Sequence, residues 1–253
     1  VKHTLVLEYN DINELNEAFK LYAEQIACVI LEPFAGNMNL VRPSTQFIHT
    51  LRQLCTTHNS ILIFDEVMTG FRVGLGCAQQ LLNIKPDLTT LGKVIGGGMP
   101  LAGFGGKKEI MDCLAPIGNV YQAGTLSGNP IAVTAGLANL QLIQQEGFYP
   151  NLNKISQQLT HGLTKLAHAK GLAFSADYIG GMFGFYFLEN IPTSFNAVKQ
   201  AEQTVFNKFF HHMLDNGVFF APSMFEAGFI CSMHTPEVIN QTLALAEDAL
   251  AKF

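Results

Sequence analysis

The apolar run Ser60 to Phe64 stops abruptly at Asp65-Glu66, and no other feature of the chain narrows its architecture as much. Unbroken Ile-Leu-Ile-Phe suits a strand covered on both faces, while two carboxylates directly after it must meet solvent or a partner. A helix is predicted just before it, because Ser44 can cap a segment whose Phe47, Leu51, Leu54 and Cys55 recur at helical spacing. The same order occurs one step earlier. Asp11 can cap a helix with Ile12, Leu15, Phe19 and Tyr22 on one face, Glu14 completes a capping-box pattern, and a buried strand, Ile26 to Leu31, follows. Alternating helix and strand favours an α/β fold with a mostly parallel sheet. Glu32 and Asp65 then stand at the carboxyl ends of strands, where open α/β sheets bind their ligands.

Between Pro86 and Gly106 the pattern breaks into LGKVIGGGMPLAGFGG, which reads as a loop that turns tightly or carries function. Asn129 and Pro130 supply an N-cap and a first-turn proline for a helix running to about Glu146, with Ile131, Ala135, Ala138 and Leu142 in phase. Gly147 and Pro150 stop it. Beyond lie a helix near Leu152 to Lys170, short strands near Leu172 to Phe174 and Phe183 to Leu188, a helix near Ala197 to Asn216, a strand at Phe229 to Cys231 and a last helix from Pro236. The predicted organisation is a first domain over 1–146 and a small α+β domain over 147–253. Phe183, Phe185 and Phe187 alternate as the packed face of a strand does.

Composition removes several classes of function. With 253 residues, 48% apolar and 14% charged, the chain can bury a large core, and its mean hydropathy of +0.22 points to surface covered by another subunit or by further chain. A net charge of −5 without any basic cluster argues against nucleic acid as a partner. No apolar run approaches the roughly 18 residues that span a bilayer, and Val1 to Glu8 lacks the features of a signal peptide, so a cytoplasmic location is expected. Five cysteines, Cys28, Cys55, Cys77, Cys113 and Cys231, form no CxxC pair and read as reduced thiols. The histidines show no paired-ligand spacing, and no metal is predicted.

Three separated pieces carry chemistry only in conjunction. Asp65 is a strand-end carboxylate, which is equally a helix cap or an ion-pair partner. Lys93 stands among Leu91, Val94 and Ile95, where desolvation would favour a neutral, nucleophilic amine able to form a Schiff base; the alternative is a surface lysine. Thr125 and Ser127 precede a helix start that can receive a phosphate, unless Ser127 or Asn129 simply caps it. The glycines after Lys93 match neither GxGxxG nor GxxxxGK[ST]. Together the three pieces meet the needs of pyridoxal 5′-phosphate: a lysine, an anion for the ring nitrogen and a phosphate cup.

The segments EPFAGNMN (32–39), FDEVMTGFRVGLGCAQ (64–79), PDLTTLGKVIGGGMPLAGFGGKKEIM (86–111), YQAGTLSGNPIA (121–132) and APSMFEAGFICSMH (221–234) resemble the glutamate-1-semialdehyde 2,1-aminomutases, class III aminotransferase relatives. The resemblance covers essentially the whole chain. It implies the fold type I architecture of pyridoxal-phosphate transferases and the conversion of glutamate 1-semialdehyde to 5-aminolevulinate for tetrapyrrole synthesis. It also implies a cofactor that passes through its pyridoxamine form, a small amino-aldehyde substrate and a homodimer. Position by position, Lys93 matches the lysine that holds the cofactor and moves protons between two substrate carbons, and Asp65 the carboxylate at the ring nitrogen. Val67 matches a residue on the ring face; Gly124 and Thr125 match the phosphate contact donated across the dimer interface. Asn37 matches a residue near the ring 3-hydroxyl, with a turn-forming asparagine as the alternative, and Glu226 one in the substrate pocket, with a surface carboxylate as the alternative.

The resemblance starts part-way into the family's chain. It implies that the first strands, one wall of the phosphate cup, an aromatic stacked on the cofactor and a mobile lid belong to a preceding portion. Were the 253 residues the whole polypeptide, exposed sheet edges would favour aggregation or pairing. Two other readings follow: a class III ω-aminotransferase with a separate amino acceptor, and an inactive chain that acts only by dimerising.

Overall fold

The computed structural model describes residues 3–253. They divide into two compact units, one made of the residues up to Pro33 with Pro43–Gln145, the other of Phe34–Arg42 with Glu146–Phe253.

In the first unit Asp11 caps α1 (Ile12–Tyr22) by accepting from the Glu14 backbone N–H. The Glu14 carboxylate accepts from the Glu8 N–H at 2.6 Å, so the capping box is completed one turn further out. Strand β1 (Cys28–Leu31) follows, and Ser44 caps α2 (Thr45–Thr57). Next come β2 (Ile61–Glu66), α3 (Cys77–Leu82), β3 (Leu88–Leu91), β4 (Gly103–Gly106), α4 (Lys108–Met111) and α5 (Pro130–Ile143). Among the described residues the strands form one sheet in the order β1-β2-β3-β4, parallel through β3 and closed by antiparallel β4. Phe47, Ile48, Leu51 and Cys55 of α2 are buried, as are Leu62 and Phe64 of β2.

Two expectations change here. The first strand is not buried: β1 ends the sheet with β2 as its neighbour, and Ile30 is 59% exposed. The glycine-rich segment is not all loop, since its end pairs with β3 as β4. Only glycine permits that pairing, because a Cβ on Gly106 would stand 2.0 Å from the Asp87 carbonyl oxygen. Asp87 ties the same region together. Its carboxylate accepts from the Leu62 N–H at 2.7 Å, Arg52 at 2.9 Å and Lys107 at 2.6 Å. Burial disfavours its charge, yet these three donors outweigh that and hold its pKa below the ordinary carboxylate range.

In the second unit α6 (Phe148–Ala169) buries Leu152, Ile155, Leu159 and Leu163, with Pro150 in its first turn, where a missing N–H costs nothing. Strands β5 (Ser175–Ile179), β6 (Met182–Tyr186) and β7 (Gly228–Phe229) form an antiparallel sheet, and α7 (Phe195–Val198), α8 (Gln203–Asp215) and α9 (Pro236–Leu250) complete the unit. The strand expected at Leu172 to Phe174 lies at β5 instead, and the helix expected over Ala197 to Asn216 is broken between α7 and α8. Phe174, Phe183, Phe185, Phe187, Phe206, Phe209, Phe210 and Phe220 form the core. The 34–42 segment joins this unit through buried Tyr186, whose hydroxyl donates to the Leu40 carbonyl at 2.6 Å and accepts the Leu40 N–H at 2.9 Å.

Candidate cofactor site

Strand alternation separates the two carboxylates at the end of β2. Glu66 points inward and is fully buried, where it accepts from the backbone N–H groups of Ala78 (2.8 Å) and Gln79 (2.9 Å) and from the Thr69 hydroxyl (2.8 Å). It therefore performs the capping role that a strand-end carboxylate can always play, here for α3. Asp65 points to the opposite face and is half-buried. Its Oδ1 accepts from the Val67 N–H at 3.0 Å and from the Thr90 hydroxyl at 3.3 Å, which leaves Oδ2 to accept from another donor.

Thr90 is the register partner of Asp65 across β2 and β3, and Lys93 follows it three residues later. With about 3.3 Å of rise per residue and about 4.8 Å between strands, Lys93 lies on the order of 10 Å from Asp65 along the backbone at the same sheet edge. Lys93 opens a 3-10 turn, Lys93–Gly96, with φ at +48°, a left-handed conformation that a lysine adopts only under constraint. Gly92 beneath it allows close packing, since a Cβ there would meet Val67 Cγ1 at 3.1 Å. Val67 is thus wedged between the Asp65 turn and the backbone of the lysine. The expected desolvation is absent: Lys93 is exposed, because its apolar neighbours Leu91, Val94 and Ile95 are themselves only partly covered.

Helix α5 meets the lysine turn from its other side. Asn139 Nδ2 donates to the Val94 carbonyl at 2.6 Å, and a Cβ on Gly136 would stand 2.5 Å from the Ile95 carbonyl oxygen. At its start Asn129 Oδ1 accepts from the Ile131 and Ala132 N–H groups, both at 3.1 Å. The helix end expected to receive a phosphate is therefore filled by the protein's own side chain. Gly124 and Thr125 lie in the exposed turn before it, where the Gly124 carbonyl accepts the Ser127 N–H at 2.9 Å.

Asn37 and Glu226 belong to the second unit and are both exposed. Their segments are joined there: the Ala227 N–H donates to the Gly36 carbonyl at 3.4 Å, and the Asn39 N–H to the Phe225 carbonyl at 2.6 Å. Sequence reasoning chose Asn37 and missed Asn39, which is buried at φ +67° and whose amide donates to Phe185 and Met224 carbonyls, both at 3.0 Å. It also missed Glu66, Thr90 and Asn139 as the groups that fix the strand ends and the lysine turn. Their only sequence signal is a polar side chain within an otherwise apolar element.

The donor set suits pyridoxal phosphate in kind. A carboxylate oxygen with capacity to accept suits a protonated ring nitrogen, a constrained exposed lysine suits an aldehyde, and Val67 supplies an apolar contact beside both.

Residues 3–244 match the family model described as aminotransferase class-III. The chain is 59% identical over 97% of its length to the glutamate-1-semialdehyde 2,1-aminomutase of Neisseria meningitidis serogroup C, of which it spans 57%. An omega-transaminase from Sphaerobacter thermophilus superposes over 98% of the chain and 57% of its own, at 25% identity and a TM-score of 0.91. A glutamate-1-semialdehyde aminomutase variant from Pseudomonas aeruginosa in complex with PMP does so over 98% and 56%, at 24% identity and a TM-score of 0.88.

Proposed function

The chain belongs to the class III aminotransferases, and from that premise we propose that it is the lysine-bearing and C-terminal part of a glutamate-1-semialdehyde 2,1-aminomutase. Residues 1–146, apart from the Phe34–Arg42 segment that packs with the second unit, are then part of the large cofactor-binding domain and 147–253 its small domain. The reaction is the intramolecular amino transfer that forms 5-aminolevulinate. When bound, the cofactor supplies an electron sink and the amino group that is exchanged. Lys93 holds the cofactor and, when released, carries protons on its Nζ between the two reacting substrate carbons. Asp65 keeps a proton on the ring nitrogen through Oδ2, while Thr90 and the Val67 N–H fix Oδ1. Val67 would contact the ring, and Asn37 and Glu226 keep the roles that the resemblance assigns them.

Gly124 and Thr125 meet the phosphate of a second copy's cofactor. Pairing of two copies is supported by α5, whose Ile131, Val133, Leu137 and Leu142 all face outward with large exposed area, as do Leu126 and Tyr121 nearby. Among the described residues no helix is long and apolar enough to cross a membrane.

The observation that carries this reading is the strand register that sets Asp65 against Thr90 and Lys93 just beyond it. The test is spectroscopic and chemical. The full-length protein should show a near-visible absorbance band from lysine-bound cofactor that vanishes in Lys93→Ala, and should form 5-aminolevulinate without a second amino acceptor. A protein that takes up no cofactor would end the reading. Release of a keto acid in place of an isomer would decide for an ω-aminotransferase.

A further inference from the structure

We propose that Asn139 is a positioning residue for Lys93, acting through the backbone of the turn that carries it; this rests on the role given to Lys93 above. The turn Lys93–Gly96 has its own hydrogen bonds at Ile95 N–H to Gly92 carbonyl (3.3 Å) and Gly97 N–H to Val94 carbonyl (3.1 Å), which shape it but do not orient it on the sheet. Orientation comes from α5. The Asn139 amide donates to the same Val94 carbonyl at 2.6 Å. Gly136, one turn earlier on the same face, lets the Ile95 carbonyl approach to where a Cβ would stand 2.5 Å away. Gly97 does the same from the loop side, since a Cβ there would meet the Ala135 carbonyl oxygen at 2.7 Å and Asn139 Cβ at 3.0 Å.

These contacts clamp two successive carbonyls directly after Lys93, whose φ of +48° needs a surrounding structure to hold it. On the opposite side Gly92 rests against Val67. The lysine is thus fixed between β2's end and α5, while its side chain stays exposed. Relaxation of Lys93 to negative φ would redirect its side chain, so Asn139 secures the direction of approach to a cofactor carbonyl carbon. Misplacement by about 1 Å is enough to slow such a step on the order of 100-fold.

The experiment follows the formation of lysine-bound cofactor in the full-length protein by stopped-flow absorbance after pyridoxal phosphate is added to cofactor-stripped protein. Two variants approach the clamp independently: Asn139→Leu removes the donor at similar volume, and Gly136→Ala pushes the Ile95 carbonyl. Both should lower the limiting first-order rate of band formation about tenfold or more, with cofactor stoichiometry after long incubation and circular dichroism unchanged. Asn139→Gln, which keeps the amide, should recover a faster rate than Asn139→Leu. Limiting rates within twofold of the unaltered protein in both Asn139→Leu and Gly136→Ala would overturn the proposal. Lys93→Ala separates this failure from failure of the functional reading: if its band persists, Lys93 is not the attachment point and both ideas fall.

Discussion

The two units stabilise themselves by different chemistry. In the second, eight phenylalanines pack with one another, and Phe185 alone lies within 5.5 to 6.4 Å, centroid to centroid, of Phe174, Phe187, Phe206, Phe209 and Phe220. In the first, buried carboxylates organise the strand ends: Glu66 holds α3, and Asp87 joins β2, α2 and the segment after β4. A phenylalanine core tolerates few polar intrusions and needs no precise direction. Carboxylate anchors fix direction, which a site assembled from strand ends requires. The first unit also leaves Lys93, Thr125 and the apolar side of α5 exposed, whereas the second buries the eight phenylalanines of its core.

The largest effect that can break this contrast is Phe185→Ala. It removes the ring on which five others converge and should cost about 4 kcal/mol, read as a lower denaturation midpoint. If the loss were near 1 kcal/mol, the second unit would not depend on that cluster.

The adjacent pair Asp65 and Glu66 sharpens the comparison within the first unit. Glu66→Ala leaves the Ala78 and Gln79 N–H groups and the Thr69 hydroxyl without their buried acceptor, so a loss of about 3 kcal/mol is expected. Asp65→Ala, half-buried with two bonds on one oxygen, should cost only about 1 kcal/mol yet lower cofactor retention in equilibrium dialysis. Equal stability losses would mean that the two carboxylates do not divide structure and chemistry as their opposite faces imply.

Asp87→Asn keeps the bond from the Leu62 N–H but weakens the two ion pairs, and about 2 kcal/mol is expected. Because Asp87's pKa is lowered in the folded chain, its stabilisation is present above the ordinary value of 3.8 and is lost as pH falls below that through the lowered value. Urea midpoints measured from pH 6 downward should therefore keep their separation above pH 3.8 and draw together for the variant and the unaltered protein only below it.

Legibility in the sequence followed the range of the interactions. Asp11, Ser44 and Asn129 mark helix starts by bonds to residues two or three positions on, and all three cap as predicted. β4 escaped notice because Gly103-Phe104-Gly105-Gly106 carries no alternation; its strand character comes from pairing with Leu88–Leu91 across the intervening lysine turn. Asn39 looked like Asn37 in the sequence because its partners, Phe185 and Met224, lie 146 and 185 residues away. The DE pair marks a strand end, but only the pleat decides which carboxylate turns inward. The exposure of Lys93 has the same cause: apolar neighbours in sequence need not cover a side chain in space.

The smallest effect on stability belongs to the outward side of α5. Ile131 is 68% and Leu137 58% exposed, so Ile131→Lys with Leu137→Lys removes little burial from the chain itself and should change its own unfolding free energy by less than about 0.5 kcal/mol. If that surface receives a second copy, the same pair of charges must be desolvated in the interface, and sedimentation should show loss of the dimer at concentrations where the unaltered protein remains paired. Cofactor retention should fall with it, because Gly124 and Thr125 reach a cofactor only from the other copy in the proposed arrangement. A double variant that stays dimeric would assign the exposed side of α5 to something other than self-association. One that becomes monomeric yet keeps its cofactor would remove Thr125 from the phosphate contact and leave the rest of the site standing.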